Sequence, residues 1–310
     1  CALPIWKYAS IFYGESTVSK EESGFEDDVV YYGGLNRDKM GVYDNKIYYI
    51  AENDPNYNKL YIYDTVSKKK TCSDNYVSNF IIDEDDIYMF INNKEDKGLY
   101  TAKLKDINNV KRISGLDDNK RYNILGIYKN EIYFYEMNAE DYDIGDLYGN
   151  VCKINLSNGK KEIVIDDKVF YFVNYMYESE IYYSTYDERE IDNSDCGLKV
   201  YNLDNNKVKT YLEDKWIIGV IANEKSILVN ADNNIYLINR DNEKGNIIYK
   251  NTTGSFYGLY SGWLYFENNN SNDFVRYNIY NGNIERIEFD NMNVDYFVIY
   301  RSEERRVGKE

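Results

Sequence analysis

Histidine is absent from all 310 residues. That one zero removes Ser-His-Asp and Cys-His nucleophilic systems, His-ligated zinc and imidazole acid–base chemistry from the chain. Only 2 prolines occur, and no apolar run reaches the roughly 18 residues that would span a bilayer. There is no CxxC pair, no GxGxxG and no Walker loop, and Gly33-Gly34 and Gly254 fit strand ends and turns. Basic residues are outnumbered as well: 37 Lys and Arg face 53 Asp and Glu, for a net charge of −16. Such a surface repels phosphate backbones, which argues against nucleic acid and in favour of cations or basic partners.

Both ends read as foreign to the protein. Arg301 to Glu310, RSEERRVGKE, back-translates as AGATCGGAAGAGCGTCGTGTAGGGAAAGAG, which looks like a short-read sequencing adapter; Cys1 to Ile5, CALPI, back-translates to something like its partner. Residues 1–5 and 301–310 are therefore expected to be adapter-derived, and a signal, an anchor or a further domain would lie outside the given sequence. Setting Cys1 aside leaves Cys72, Cys152 and Cys196, spaced by 80 and 44 residues. Three thiols make no paired disulfide framework, so they read as structural or incidental, and their number does not decide the redox compartment.

What is present is apolar and aromatic: 43% hydrophobic residues and 36 tyrosines, enough for the core of one large all-β domain or two small ones. A motif recurs along the chain: an apolar strand, a short polar turn and an Ile-Tyr strand. It appears as GVYDNKIYYI, IIDEDDIYMF, GIYKNEIYFY, MYESEIYYS, IANEKSILVN and LYSGWLYFE. The leading aliphatics are Ile47, Ile87, Ile132, Ile181, Ile227 and Leu264, at intervals of 40, 45, 49, 46 and 37 residues. Each unit continues into a second hairpin around Asn-Gly or Asn-Asn, such as VCKINLSNGKKEIVI from Val151. Apolar residues alternate at period two and no 3.6-residue stripe persists, so these are strands. Repeats of about 40 residues with four strands each are propeller blades.

The reading is an all-β, six-bladed β-propeller of four-stranded antiparallel blades over 40–300. The blades fall near 40–72, 80–114, 123–165, 173–212, 217–250 and 256–289. Residues 6–39 form an N-terminal linker in which Val29 to Tyr32 is expected to supply a ring-closing outer strand. Val294 to Tyr300 reads as the start of a further inner strand, which would make seven blades.

These repeats resemble TolB-type propellers and, more closely, the uncharacterised propellers of clostridial surface proteins and lipoproteins. The resemblance covers about Met40 to Phe289 and is carried by Asp44 to Tyr49 (DNKIYY), Leu60 to Asp64 (LYIYD) and the NGK turn at Asn158 to Lys160. The Ser-Pro-Asp-Gly turns of TolB itself are missing. The resemblance implies a secreted or surface-anchored bacterial binding platform, and it brings no catalytic residues.

The connections between second and third strands differ most in length. Their start-to-start offsets are 13, 12, 19, 17, 8 and 11 residues, so blades three and four carry insertions, and long loops in compact repeats are where binding tends to reside. EMNAEDYDIGD holds Glu136, Glu140, Asp141, Tyr142, Asp143 and Asp146. TYDEREIDNSD holds Tyr186, Asp187, Glu188, Glu190, Asp192 and Asp195. The expected ligand site is an acidic rim patch of Asp141, Tyr142, Asp143, Asp146, Tyr186, Asp187, Glu188, Asp192 and Asp195. Its oxygens would suit Ca²⁺, the one cofactor considered, or a basic segment, although neither loop has EF-hand spacing. The functional expectation is a non-catalytic, extracytoplasmic, monomeric recognition or scaffold propeller for a protein, peptide or glycan. The alternative is a hydrolase propeller, or the propeller cap of an enzyme whose catalytic domain lies elsewhere.

Overall fold

A computed structural model describes residues 8–13, 20–26, 31–32, 40–50, 58–93, 96–143, 148–170, 175–185, 197–250, 256–268 and 273–287. The chain opens with β1 (Tyr8–Tyr13), the one-turn α1 (Lys20–Ser23) and β2 (Tyr31–Tyr32). The first repeat is β3 (Met40–Tyr43), β4 (Lys46–Ile50), β5 (Lys59–Asp64) and the first half of β6 (Lys70–Asp83). The second takes the rest of β6 with β7 (Asp86–Asn93), β8 (Asp96–Lys103) and β9 (Asp106–Gly115). The third is β10 (Lys120–Tyr128), β11 (Glu131–Asn138), a short α2 (Ala139–Asp143), β12 (Tyr148–Asn155) and β13 (Lys161–Phe170).

The fourth repeat is β14 (Tyr175–Tyr177), β15 (Glu180–Tyr183), β16 (Leu198–Asn202) and β17 (Lys207–Tyr211). The fifth is β18 (Ile217–Ala222), β19 (Ser226–Ala231), β20 (Asn234–Asn239) and β21 (Gly245–Lys250). The sixth is β22 (Phe256–Tyr260), β23 (Trp263–Asn268), β24 (Asp273–Asn278) and β25 (Asn283–Ile287). Within each repeat the strands lie in sequence order, which is the meander of a β-propeller blade. Among the described residues no helix is long and apolar enough to cross a membrane.

Two departures from the simple repeat stand out. Strand β6 pairs with β5 up to Tyr76 and with β7 from Val77 onward, so one strand is both the outer strand of the first blade and the inner strand of the second. The sheet of the sixth repeat runs β1-β25-β24-β23-β22-β2. Tyr31–Tyr32, from the segment expected to close the outer edge, instead pairs with the inner strand β22. The outer edge beside β25 is taken by β1, whose six residues make a longer ladder than the two of β2. Val29, Val30 and Val294 to Tyr300 lie outside the described residues.

By contact density the chain divides into one unit of Cys1–Asn36, Asp192–Val200 and Lys209–Glu310 and another of Arg37–Ile191 and Tyr201–Val208. In the second, Ile87, Ile132 and Ile181 of the second strands are fully buried, and so are the adjoining Tyr133 and Tyr182. Both faces of β11 and β15 are covered, which is why they read as Ile-Tyr pairs rather than as half-polar alternation. Each tyrosine keeps its hydroxyl satisfied on a strand neighbour: Tyr133 donates to Glu131 at 2.9 Å and Tyr182 to Glu180 at 2.6 Å. Phe90, Tyr122 and Phe134 meet edge to face with centroids 5.4–5.8 Å apart. The first unit has its own core of Phe25, Leu228, Phe256, Leu264, Phe266 and Tyr277. Burying each large side chain contributes about 1.5–3 kcal/mol.

One end of every blade carries two tight turns. In five of the six repeats the turn between the first and second strands has left-handed backbone, as at Asp44 and Asn45 (φ 43° and 57°) and Lys129 and Asn130 (φ 47° and 62°), the conformation that matches strand twist; in the fifth, Asn223 Oδ1 instead accepts the N–H groups of Lys225 and Ser226. In the turn between third and fourth strands, an Asx side chain accepts two backbone N–H groups. Asn155 accepts from Ser157 and Asn158, Asn202 from Asp204 and Asn205, Asn239 from Asp241 and Asn242, and Asn278 from Tyr280 and Asn281. A left-handed residue closes each turn: Gly159, Asn206, Glu243 and Gly282. The two turns are then joined by a backbone bond in all six repeats. Thr65, Leu104, Leu156, Leu203, Arg240 and Ile279 donate N–H to the carbonyls of Asn45, Asp85, Asn130, Ser179, Lys225 and Gly262, at 2.8–3.0 Å.

Replacing Asn155 with Ala removes two of these caps and should cost about 1 kcal/mol, read as a lower urea midpoint at unchanged slope. Gly159→Ala should cost more, since at φ +71° a Cβ would stand 2.3 Å from the Ile113 carbonyl. Equal midpoints for wild type and both variants would contradict this account of the turn.

Candidate functional site

With the turns at one end of each blade, the opposite end holds the connections between second and third strands and those leading into the next blade. Residues joined by the turn-to-turn bond are 20, 19, 26, 24, 15 and 17 apart along the chain. All that variation is absorbed at the connection end, so this end is where sequence is free to build a site.

In the unit that holds the first three blades, the connection end is organised around Tyr122. Its hydroxyl accepts from the Asp117 N–H at 2.9 Å and donates to the Asp117 carbonyl at 3.2 Å, which folds 116–119 over the end of β10. Lys97 donates from Nζ to the carbonyls of Asp118 (3.1 Å) and Lys120 (2.7 Å) and lies 5.5 Å from the Tyr122 ring centroid. Loss of solvent around this half-buried ammonium lowers its pKa. The Ala139 N–H donates to the Asn119 carbonyl at 2.8 Å, tying the start of α2 to the same loop. Lys120 donates to Asn138 Oδ1 and Asn138 Nδ2 donates to Asp141 Oδ2, both at 2.5 Å. Lys120, Asn138 and Asp141 therefore form a relay that fixes the first turn of α2.

Beneath this relay lies an ion pair. Glu136, expected in the loop, is the sixth residue of β11, 8% exposed, and accepts from Lys161 Nζ. Lys161 also lies 5.8 Å from the Tyr122 ring and 5.9 Å from that of Phe134. Cys152 is fully buried in the same sheet. Burial and then the Glu136 carboxylate push its thiol up to about 12, so it stays protonated and inert. Further in, the Asn79 side-chain amide donates to the Tyr122 carbonyl and links the inner strands β6 and β10.

Of the residues expected in the rim patch, the structure brings Asp141 into the relay. Tyr142 and Asp143 complete α2 in backbone, but their side chains lie outside the described residues, as do Asp146, Tyr186, Asp187, Glu188, Asp192 and Asp195 altogether. Around Asp141 the rim is mixed in charge, with Lys97, Lys120 and Lys161 set among Asp117, Asp118, Glu136 and Glu140. The lysines were missed because each lies on a strand rather than in the acidic loop. β8 lies in one sheet and β10 and β13 at opposite edges of another, so only the folded chain gathers them around Tyr122. Among the described residues no three acidic or thiol side chains converge on a metal-sized site, so the calcium expectation rests on side chains outside them. No nucleophile stands beside a base in the described part of this rim.

The fold class is thus a β-propeller whose connection end carries a polar, charge-paired rim. Solved structures agree with the class. The chain is similar to a solved structure from a structural and mechanistic analysis of two prolyl endopeptidases (TM-score 0.54, 8% identity, covering 80% of this chain and 40% of that one). It is also similar to a puromycin hydrolase S511A mutant complexed with PGG (TM-score 0.57, 10% identity, covering 81% of this chain and 46% of that one). At these identities the likeness is one of fold, and the chain spans less than half the length of either. No family model and no curated protein sequence matches it.

The buried thiol has a measurable consequence. Because its pKa rises from 9.0 to about 12 on folding, its contribution to stability is complete below about pH 9 and is lost as pH rises toward 12. Native protein should be alkylated at the exposed Cys72 and not at Cys152, as mapped by peptide mass spectrometry, and Cys152→Ala should lessen the alkaline loss of thermal stability. Equal labelling of both thiols in the native state would contradict the packing.

Proposed function

We propose that the chain is a non-catalytic recognition propeller, exported or displayed at a bacterial surface, which holds a protein, peptide or glycan ligand on the connection end of its blades. The carrying observation is the contrast between the two ends. Six identical backbone bonds hold the turn end to one design, while the connection end takes all the length variation and holds the Lys120–Asn138–Asp141 relay. The export and surface assignment is supported by the resemblance to TolB-type and clostridial propellers. Net charge of −16 favours basic ligands through steering.

The second reading is a propeller cap on a hydrolase domain encoded beside this sequence. It is favoured by the two hydrolases above, of which the chain covers 40% and 46%. Adjoining coding sequence for a serine hydrolase domain would decide for it.

The recognition reading is tested by panning random dodecamer peptides and a glycan array on the immobilised chain. Enriched ligands should bind at least about tenfold more weakly when Asp141, Tyr142 and Asp143 are changed together to Ala, a loss of about 1.4 kcal/mol. They should be indifferent to Asn205→Ala at the turn end. The reading fails if nothing is enriched over heat-denatured protein, or if binding follows the turn end instead.

A further inference from the structure

Two residues at the turn end depart from the repeat, and both meet the same N-terminal segment. In the fifth repeat the first turn has no left-handed residue; Asn223 Oδ1 holds it by accepting the N–H groups of Lys225 and Ser226 at 2.8 and 2.7 Å. The Asn223 amide then has its donor to spend elsewhere, and Nδ2 donates to the Ser23 carbonyl at 3.3 Å. In the sixth repeat the second residue after the Asx cap is Tyr280, where the first, third, fourth and fifth repeats place Val66, Ser157, Asp204 and Asp241. The Tyr280 hydroxyl donates to the Phe25 carbonyl at 3.0 Å.

Each residue of the segment they receive has a distinct fit. Ser23 is fully buried, and its hydroxyl donates to the Lys20 carbonyl at 3.0 Å and accepts the Phe25 N–H at 3.3 Å. Gly24 closes α1 with left-handed backbone (φ +66°), and a Cβ there would stand 2.7 Å from the Lys225 side chain. Glycine meets both conditions. Phe25 is 1% exposed and joins Leu228, Leu237 and Ile279 in the core of the fifth and sixth blades. Ser-Gly-Phe is thus a short motif whose two outer carbonyls are taken by side-chain donors, whose centre admits no side chain and whose ring fills an apolar socket.

The segment itself is slight. α1 has four residues, too few to persist alone, and β2, which follows, pairs over two residues. A piece of this kind opens locally, at less cost than global unfolding.

We infer that the turn ends of blades five and six form a docking site for a peptide bearing a small residue, a glycine and an aromatic in succession, filled in this chain by its own residues 23–25 as a tethered ligand. A partner that carries the same motif competes for the socket. The tether holds the chain's own copy at an effective concentration on the order of millimolar, so the site is masked from weak competitors. It lies at the opposite end of the blades from the recognition rim and stands independently of that reading.

The test is calorimetric titration of the full chain, wild type and Phe25→Ala, with the peptide KEESGFED of residues 20–27. Phe25→Ala vacates the socket, so it should bind the peptide at least about tenfold more tightly than wild type does. Replacing the peptide's Phe by Ala should weaken binding about tenfold to a hundredfold, and replacing its Gly by Ala should weaken it as well. Asn223→Asp keeps the acceptor that the turn needs and loses the donor; Tyr280→Phe keeps the ring and loses the hydroxyl. Each should speed hydrogen exchange at the Gly24 and Phe25 amides, a readout that decides the matter if Phe25→Ala does not fold. A folded Phe25→Ala chain that ignores the peptide would overturn the inference, as would equal binding of the Phe and Ala peptides. So would Gly24 and Phe25 amides that exchange only with global unfolding in wild type and both variants. A light-scattering mass of two chains for wild type would identify the occupant as the segment of a second copy and overturn the tethered arrangement.

Discussion

The structure depends on one repeated backbone bond, the N–H of the second residue in each third-to-fourth-strand turn donated to the carbonyl of the first-to-second-strand turn. Four strands in a meander can slide or splay at their ends. A bond that crosses from one hairpin to the other fixes both registers together. Where the second turn runs to five residues it uses an Asx side chain to satisfy its own amides. The design thus depends on local chemistry that each repeat supplies for itself, which suits an architecture built by repetition.

Fixing one end has consequences for the middle and for the other end. In the middle, the second strands of blades three and four are covered on both faces, so an aliphatic residue and a tyrosine stand side by side, each buried, with the phenol hydroxyl returned to a neighbouring carboxylate. At the other end, chain length is unconstrained by the turns. Blade three uses this freedom for α2 and a relay of Lys120, Asn138 and Asp141, while blade five uses a two-residue turn.

Much of this was legible in the sequence and some was not. The Ile-Tyr periodicity and the Asn-Gly and Asn-Asn turns announced strands and hairpins, because both reflect backbone preferences local to a few residues. The class of fold followed from their spacing. Tyr31–Tyr32 was assigned to the wrong sheet edge, since pairing of a short N-terminal segment is decided by a long-range competition that β1 wins with more residues. Glu136 read as a loop acid because its partner, Lys161, lies 25 residues away and becomes a neighbour only through the β11–β12–β13 sheet.

Hydrogen exchange resolved to single amides addresses the central claim, that one uniform turn end supports one variable connection end. The amides of Thr65, Leu104, Leu156, Leu203, Arg240 and Ile279 should be protected as a set, with opening free energies alike across the six repeats, while those of 116–119 and 212–215 exchange faster. Rapid exchange at several of the six, or protection at the connection end equal to that at the turns, would contradict the account.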